Sequence, residues 1–511
     1  MKSMNTSAPL LLDGRPLSLD EIVAVSADAR PVAISPEALA RVASSREVIE
    51  DILSTGQTVY GVNTGFGKLA DVLIPADKLA QLQTNLVRSH ACGLGEPLSE
   101  AESRAMLLLR ANVLAKGFSG VRPAVLQLLA AMLNAGVHPI IPARGSVGAS
   151  GDLAPLAHLA LVVVGEGEAI HNGLRQPGAA ALKAAGLQPL QLAAKEGLAL
   201  LNGTQAMTAA GALTVHHARY LTQIADLAGA MSLEALMGTP TAFDPRIHQA
   251  RPHAGQIASA ARLTAILESS EIRESHRSRV DDTRVQDAYC LRCMPQVHGA
   301  VRGVLEHVAS ILEIESGSAT DNPLVFPAQQ GSDAEVLSGG NFHGAPLSYA
   351  FDYAAIALTD LASISERRID RLINPDINEG LPAFLCAAAG LSSGYMIAHV
   401  TAAALLNECK VLAHPSSTDS VPTSGGKEDH VSMGMTGALK LRQVAHNLEL
   451  ILAIEMMCAA QGLDYRIPLK PGIAVVKTHE RIRAAVPHLD EDRIPAPDIE
   501  AVAKLIRNNA L

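Results

Sequence analysis

The sequence predicts a mainly α protein, an elongated bundle of long, largely buried helices with a smaller N-terminal region that carries the site. Among 511 residues only 3% are aromatic and tryptophan is absent, while alanine and aliphatic residues dominate. Alanine and leucine are good helix formers and favour close helix–helix packing over a sheet sandwich. The chain exceeds the usual size of one hydrophobic core, so we expect two lobes or one elongated helical body.

Glycine and proline divide the predicted N-terminal region, residues 1–203, into short elements. An extended segment precedes an amphipathic helix at residues 38–53. Residues 168–173 contain Asn-Gly and are the best candidate for a β-hairpin turn. Three helices are expected between residues 75 and 143, with breaks at residues 93–97, 116–123 and 136–142.

Residues 204–511 form the predicted helical scaffold. A helix of thirty residues is about 45 Å long, so several can lie side by side in one bundle. Helices that are apolar around most of their circumference bury the surplus face against other subunits, which predicts a homo-oligomer. The alanine-rich periodic segments run near residues 204–236, 295–316, 345–372, 387–413 and 429–461.

The charge balance argues against several classes of partner. The net charge is -10, whereas a nucleic-acid groove needs dense Lys and Arg, so no nucleic acid is expected. Two uncharged stretches, residues 198–218 and 387–407, approach the length that spans a bilayer. Both carry polar residues and are predicted to be buried helices, so no membrane association is expected. The first apolar run is too short for a signal peptide, and six scattered cysteines indicate reduced thiols, which predicts a cytoplasmic protein.

No metal site is predicted, although the chain has 18 histidines. His-Glu-x-x-His does not occur, and the adjacent His216 and His217 would face different directions on a helix. Cys290 and Cys293 are the only close cysteine pair, and no second pair completes a zinc site. The histidines are therefore interpreted as core or surface residues.

The stretch RGSVGASGDLAPLAH, residues 144–158, is the most unusual part of the chain. It lacks the Lys-Ser or Lys-Thr of a phosphate loop. The dinucleotide-binding motif needs two glycines that are two positions apart, whereas Gly145, Gly148 and Gly151 are three positions apart. The esterase motif Gly-x-Ser-x-Gly needs a glycine two positions after the serine, and here that position is Asp152. Glycine permits sharply bent backbone, so a tight structural turn stays open as one interpretation. Asp152 is expected to cap the following helix, with Pro155 in its first turn.

The tripeptide Ala149-Ser150-Gly151 permits a second interpretation. In a sharply bent backbone the Gly151 nitrogen can attack the Ala149 carbonyl carbon, and loss of water, including the Ser150 hydroxyl, leaves a five-membered ring with an exocyclic methylene. Larger side chains at the two outer positions would obstruct this closure. The string GSVGASGDLAPLAH resembles that of the aromatic amino acid ammonia-lyases, and the likeness extends from Gly56 to Gly462.

This resemblance implies several properties. The family makes its methylidene-imidazolone electrophile from such a tripeptide autocatalytically, so no metal or dissociable cofactor is expected. It also implies an aspartase/fumarase-like helical body and a homotetramer. An electrophile of this kind captures a substrate amine covalently and makes it a leaving group.

The weakly acidic β-proton of the substrate requires a base within hydrogen-bond reach. Tyr60 lies in the loop TVYGVNTGFG, which resembles the family loop whose tyrosine is that base. A loop position would also allow closure over the substrate. From the residues alone, a tyrosine that merely packs on its loop stays an alternative.

Further site residues follow from the resemblance. Arg292 is expected to bind the substrate carboxylate, for which its planar donors are suited, although a structural salt bridge is the alternative. Gln286 and Tyr289 would position the substrate and the electrophile. Asn202 would hydrogen-bond near the ring, and Phe342 would flank the substrate.

Two positions indicate the substrate. Ser89-His90 matches histidine lyases, and Glu428 stands where phenylalanine and tyrosine enzymes usually carry glutamine. A carboxylate pairs with an imidazole N–H but is left unpaired beside a benzene ring. The predicted reaction is elimination of ammonia from L-histidine to give trans-urocanate. The alternatives are a tyrosine or phenylalanine lyase, a 2,3-aminomutase or a non-catalytic helical scaffold.

Several positions depart from the family pattern. Lys427 stands at a usual glutamine and is able to pair with Glu428, and His399 replaces another glutamine. Residues 407–410 read Asn-Glu-Cys-Lys instead of Ser-Glu-Asn-Lys, and Cys290 replaces a serine. These departures bear on the choice of substrate more than on the type of reaction.

Overall fold

The computed structural model describes residues 8–277 and 284–511, apart from the Lys68 side chain. Helix accounts for 59% of the structure, which confirms the mainly α prediction. The chain divides into two compact units. Unit 1 comprises Met1–His216, Ala309–Phe351 and Pro415–Leu439, and unit 2 comprises His217–Val308, Asp352–His414 and Lys440–Leu511. The boundary near residue 203 stays a prediction, and residues 1–7, part of the segment for which no signal peptide is predicted, lie outside the described residues.

The helices range from single turns to rods of 31 residues, and the longest ones begin and end near the predicted positions. In chain order they are α1 Leu19–Ser26, α2 Pro36–Thr55, α3 Leu79–His90, α4 Glu100–Ala115, α5 Pro123–Ala135, α6 Leu153–Val163, α7 Gly178–Ala184, α8 Glu196–Leu201, α9 Gln205–Ala235, α10 Pro245–Gln249, α11 Ala254–Ile266, α12 Glu271–Ser275, α13 Tyr289–Arg292, α14 Met294–Ser316, α15 Ala345–Ile373, α16 Met396–Leu412, α17 Gly434–Asp464, α18 Ile473–Ala485 and α19 Ala496–Arg507.

Short strands form small sheets in unit 1. Strands β1 and β2 pair in parallel, and the pairs β3–β5, β4–β6, β6–β7 and β8–β9 are antiparallel. The hairpin β6–β7 is the predicted one, with left-handed Asn172 and Gly173 at its turn. The strands are β1 Leu10–Leu12, β2 Val32–Ile34, β3 Leu94–Pro97, β4 His138–Pro139, β5 Pro142–Arg144, β6 Glu168–His171, β7 Leu174–Pro177, β8 Leu324–Phe326 and β9 Glu335–Leu337.

Three helices of unit 1, α3, α6 and α8, pack on one another. Residue His90 ends α3, the Ala-Ser-Gly stretch precedes α6, and Asn202 follows α8. The buried helix α4 starts at a capping box, in which Ser99 and Glu102 each accept a hydrogen bond from the other's backbone nitrogen. The packing of α3, α6 and α8 therefore brings His90, the Ala-Ser-Gly stretch and Asn202 close together, although they are distant in sequence.

The structure corrects two predicted helix boundaries and adds one helix. The helix expected at residues 387–413 begins only at Met396, because Gly390 and Gly394 adopt left-handed conformations in the preceding segment. The helix expected at residues 429–461 begins at Gly434, directly after left-handed Met433. The extended N-terminal segment also contains the unpredicted helix α1. In the part of the chain that is described, none of the helices has the length and apolar character that a bilayer span requires.

Lys195 and Asp321 form an ion pair in unit 1 that is completely buried. The Lys195 Nζ lies 2.9 Å from Asp321 Oδ2, and both side chains are 0% exposed. Replacement of Asp321 by asparagine leaves a buried ammonium uncompensated, so we expect a loss of about 3–5 kcal/mol in the free energy of unfolding, measured by urea denaturation. In the exposed Arg88–Glu166 pair, Glu166→Gln should change the free energy of unfolding far less, because water screens the two charges. Equal losses in the two variants would contradict this assignment.

Candidate active site

The Ala-Ser-Gly stretch is a bent loop enclosed by other segments of unit 1. Gly148 and Gly151 have φ angles of +66° and +72°, which side chains rarely tolerate. A Cβ atom on Gly148 would lie 2.2 Å from the Ser432 Oγ, and one on Gly151 would lie 2.1 Å from the Gly203 carbonyl oxygen. The loop therefore requires glycine at both positions.

Asp152 occupies the residue before α6, but its carboxylate does not cap that helix. Instead, Oδ1 accepts a hydrogen bond of 2.7 Å from the Ser146 hydroxyl, and Oδ2 accepts one of 2.9 Å from the Met207 nitrogen. Burial raises the Asp152 pKa to about 6, against the opposing effect of these hydrogen bonds. The expected capping role is therefore wrong, because the side chain fastens the loop to α9.

The segment Asn202-Gly203 lies against this loop. The Asn202 Nδ2 donates to the Ser150 carbonyl oxygen at 2.9 Å, and the Asp152 nitrogen donates to the Gly203 carbonyl oxygen at 2.7 Å. The Asn202 Oδ1 is buried without a hydrogen-bond partner among the described residues. The Asn202-Gly203 segment thus makes one hydrogen bond with the tripeptide, at Ser150, and one with the adjacent Asp152.

A cavity of about 320 Å³ in unit 1 has the tripeptide in its wall. It brings together six residues that the sequence predicts, from segments as distant as residues 60 and 428. These six are Tyr60, His90, Ser150, Asn202, Phe342 and Glu428.

Glu428 is the charged group at this cavity that touches the tripeptide. Its Oε1 accepts a hydrogen bond of 2.5 Å from the Ser150 hydroxyl, and its Oε2 accepts from the hydroxyls of Thr423 and Ser424 at 2.7 and 2.9 Å. Burial alone would raise the Glu428 pKa, but these hydrogen bonds outweigh it, so the pKa lies below its ordinary value. The carboxylate is therefore ionised at neutral pH.

The loop that carries Tyr60 is held by its own polar side chains. The Asn63 side chain accepts from the Val59 nitrogen at 2.9 Å and donates to the Gln57 carbonyl at 2.8 Å. Gly61 is left-handed, and a Cβ there would lie 2.9 Å from atoms of Leu198 and Pro323. This fixed turn places the half-buried Tyr60 at the cavity.

Asn322 is a cavity residue that the sequence reasoning missed. Its Oδ1 accepts from the Gly339 nitrogen at 2.7 Å and its Nδ2 donates to the Ser338 hydroxyl at 3.1 Å. It therefore holds the segment that leads to Phe342. The Asp-Asn-Pro sequence at residues 321–323 is typical of a turn and gives no sign of this role.

Three predicted residues, Gln286, Tyr289 and Arg292, lie in unit 2. Gln286 and Arg292 line a different cavity, of about 340 Å³. The Arg292 guanidinium lies 4.7 Å from the centroid of the Tyr289 ring, and its Nε is buried without a hydrogen-bond partner. Two carboxylates of this unit, Asp287 and Glu379, pair with Arg284 at 3.7 and 3.3 Å.

Comparisons with known proteins agree over most of the chain. The family model for aromatic amino acid lyase matches residues 17–484. A histidine ammonia-lyase of Koribacter versatilis is 55% identical over 510 residues, which cover 98% of each chain. The chain belongs to the aromatic amino acid lyase family.

Solved structures resemble this lyase over nearly its whole length. The histidine ammonia-lyase of Trypanosoma cruzi has a TM-score of 0.90 and 46% identity, with coverage of 98% of this chain and 94% of that one. The tyrosine aminomutase of Streptomyces globisporus has a TM-score of 0.93 and 40% identity, with coverage of 98% and 97%. The helical fold is therefore that of the family.

Two departures from the family pattern, Lys427 and His399, are not among the residues that line the unit 1 cavity of this lyase. Lys427 is exposed, and the oxygens of Glu428 are engaged by hydroxyl groups, not by an ammonium. In unit 2, the His399 Nε2 lies 2.7 Å from the Glu366 Oε1. Burial alone would raise the Glu366 pKa, but the hydrogen bonds from His399 and Arg367 lower it to about 2. The pairing of Lys427 with Glu428 that the sequence permits is therefore not the arrangement found.

The lyase residues around the tripeptide fit a group made from it. Only glycine fits at position 151, Ala149 is buried, and Asn202 already donates to the Ser150 oxygen that ring closure would retain. In the part of the chain that is described, no cluster of three or more His, Cys, Asp or Glu residues is arranged to hold a metal ion.

Proposed function

We propose that this lyase eliminates ammonia from L-histidine to give trans-urocanate, with a methylidene-imidazolone formed from Ala149, Ser150 and Gly151. The observation that carries the proposal is the cavity of unit 1, in which the bent tripeptide faces Glu428 and Tyr60. The 55% identity to a histidine ammonia-lyase supports the same substrate.

Each side chain has one task in this proposal. When formed, the ring supplies an electrophilic methylene that takes up the substrate amine. The Tyr60 hydroxyl oxygen removes the proton from the substrate β-carbon. The Asn202 amide withdraws electron density from the Ser150 oxygen through its hydrogen bond. His90 and Phe342 line the same cavity and position the substrate. Arg292, Gln286 and Tyr289 lie in unit 2, at or beside another cavity, so their proposed roles, binding of the carboxylate and positioning of the substrate, rest on the family resemblance alone.

Glu428 is the group that selects histidine in this proposal. An ionised carboxylate accepts a charge-assisted hydrogen bond from an imidazole N–H. A benzene ring would displace water from the carboxylate and donate no hydrogen bond in return, which is unfavourable. The lowered Glu428 pKa keeps the carboxylate ionised at neutral pH.

Replacement of Glu428 by glutamine should therefore lower kcat/KM for L-histidine by about 10- to 100-fold, the size of a lost charged hydrogen bond. Activity on L-tyrosine should fall less, because its ring makes no use of the charge. The matched control is Asp429→Asn, an exposed neighbouring carboxylate for which we expect no change. Equal losses on both substrates would assign Glu428 to the chemistry instead of the specificity.

The direct test is incubation of the purified protein with L-histidine, L-tyrosine and L-phenylalanine, followed by identification of the products. Urocanate from histidine alone supports the proposal. An unsaturated acid from tyrosine without histidine turnover would establish the sister lyase, and a β-amino acid would establish the aminomutase. No product, together with an unmodified Ser150 by mass, would establish a non-catalytic scaffold.

A homotetramer and a cytoplasmic location complete the proposal. Helix α15 exposes Tyr349, Tyr353 and Ile356 along one face, and α16 exposes Ile397 and Val400, as helices do that bury a face against another subunit. All six cysteines are unpaired, as expected in a reducing compartment. Light scattering after size-exclusion chromatography measures the assembly.

A further inference from the structure

Arg110 is a charged side chain in the interior of unit 1. It lies on α4 and is 0% exposed. Its Nη1 donates to the carbonyl oxygens of Ala199 and Asn202, both at 3.0 Å, and its Nη2 donates to the Gln205 side chain. Burial lowers the Arg110 pKa to about 10, although Asp321 and Asp152 oppose the shift, so the guanidinium is charged at neutral pH.

The acceptors of Arg110 all lie on the segment that encloses the tripeptide. Asn202 donates to the Ser150 oxygen, and Gly203 accepts from the Asp152 nitrogen. A Cβ on Gly203 would lie 2.6 Å from the Arg110 Nη2, and a Cβ on Gly151 would lie 2.1 Å from the Gly203 oxygen. Gly203 therefore packs against the Arg110 guanidinium on one side and against Gly151 on the other. Neither contact leaves room for a methyl group.

We propose that Arg110 is a positioning residue for closure of the Ala149-Ser150-Gly151 ring, because it holds the Asn202-Gly203 segment against the bent tripeptide. This inference rests on the proposed function, which requires the ring. Arg110 does not touch the reacting atoms. It acts through the carbonyl of Asn202 and through the packing of Gly203.

The step itself needs no oxidant and no second reactant. A bond forms between the Gly151 nitrogen and the Ala149 carbonyl carbon. The Ala149 oxygen leaves as water with the amide hydrogens of Ser150 and Gly151. The Ser150 hydroxyl leaves as a second water with the Ser150 α-hydrogen. Closure depends on the distance and angle between the first two atoms, which the enclosing segment controls.

Arg104 offers a matched control on the same helix. It is 5% exposed, and its guanidinium donates to the carbonyl oxygens of Val25, Ser26 and Leu133. Burial lowers its pKa, as for Arg110. It thus shares the burial and the carbonyl acceptors of Arg110, but its acceptors do not touch the tripeptide.

The test compares full-length wild type, Arg110→Met, Arg110→Lys and Arg104→Met after a pulse of expression. Intact mass and peptide mapping follow the loss of two waters from residues 149–151. Size-exclusion chromatography isolates the folded fraction, and circular dichroism measures its helix content. We expect Arg104→Met to be less stable but dehydrated as fast as wild type. Arg110→Met should dehydrate about 100-fold more slowly, the cost of a displacement of about 1 Å.

Arg110→Lys keeps the charge but lacks the planar set of donors, so its dehydration should be slowed less than that of Arg110→Met. It is the deciding variant if Arg110→Met does not fold. A folded Arg110 variant that dehydrates at the wild-type rate overturns the inference. A wild-type chain that keeps both waters overturns the proposed function instead.

Discussion

Replacement of Ser150 by alanine should leave a chain that folds but never loses two waters, with activity lower by on the order of 10⁴-fold or more, as for other covalent catalytic groups. Alanine has no hydroxyl to eliminate, so the exocyclic methylene cannot form. Intact mass measures the dehydration, and product formation from L-histidine measures the activity.

The control for this variant is Ser424→Ala. Ser424 lines the same cavity and donates to the same carboxylate, Glu428, at 2.9 Å, but it is not part of the tripeptide. We expect it to lose both waters as wild type does. If Ser150→Ala kept wild-type turnover, the electrophile would have to be sought elsewhere in the chain.

Replacement of Tyr60 by phenylalanine should leave the ring intact but lower kcat by roughly 10²- to 10⁴-fold, the contribution of a positioned general base. The phenyl ring fills the same space at the cavity, so binding should change little, and only the group that accepts the β-proton is removed. Steady-state kinetics with L-histidine measure kcat and KM separately.

Mass spectrometry on Tyr60→Phe separates a defect in proton removal from a defect in ring formation, since the variant should show the full loss of two waters. Tyr465→Phe is the control, because the Tyr465 hydroxyl donates to the Leu385 carbonyl in unit 2 and lies outside the lining of the unit 1 cavity. Turnover of Tyr60→Phe near the wild-type value would reassign the base to another residue.

Local sequence signals predicted much of the fold. Helices α3, α4 and α5 begin and end at the expected breaks, because glycine and proline punctuate the chain there. The Asn-Gly turn at residues 172–173 was equally visible. The helix at residues 387–413 was predicted too long, since its apolar composition hid two left-handed glycines that only the folded backbone displays.

The candidate site was partly predictable for a different reason. Several cavity residues, such as the tripeptide, Tyr60 and Glu428, belong to sequence motifs whose residue types indicate their chemistry. Supporting groups such as Arg110 and Asn322 lack such motifs, because their roles depend on which backbone atoms the fold brings to them. The predicted capping role of Asp152 was wrong for the same reason. Its carboxylate accepts from the Met207 nitrogen, and no signal in the sequence near residue 152 indicates that contact.

The hydrogen bond between Ser150 and Glu428 links ring closure to substrate recognition in the newly synthesised chain. In the uncyclised chain the Ser150 hydroxyl donates to Oε1 of Glu428, the carboxylate that we propose accepts from the substrate imidazole. Under the proposed function, the hydroxyl that leaves in ring closure is the same one that donates to the recognition carboxylate, so a single event would create the electrophile and release that acceptor for the substrate.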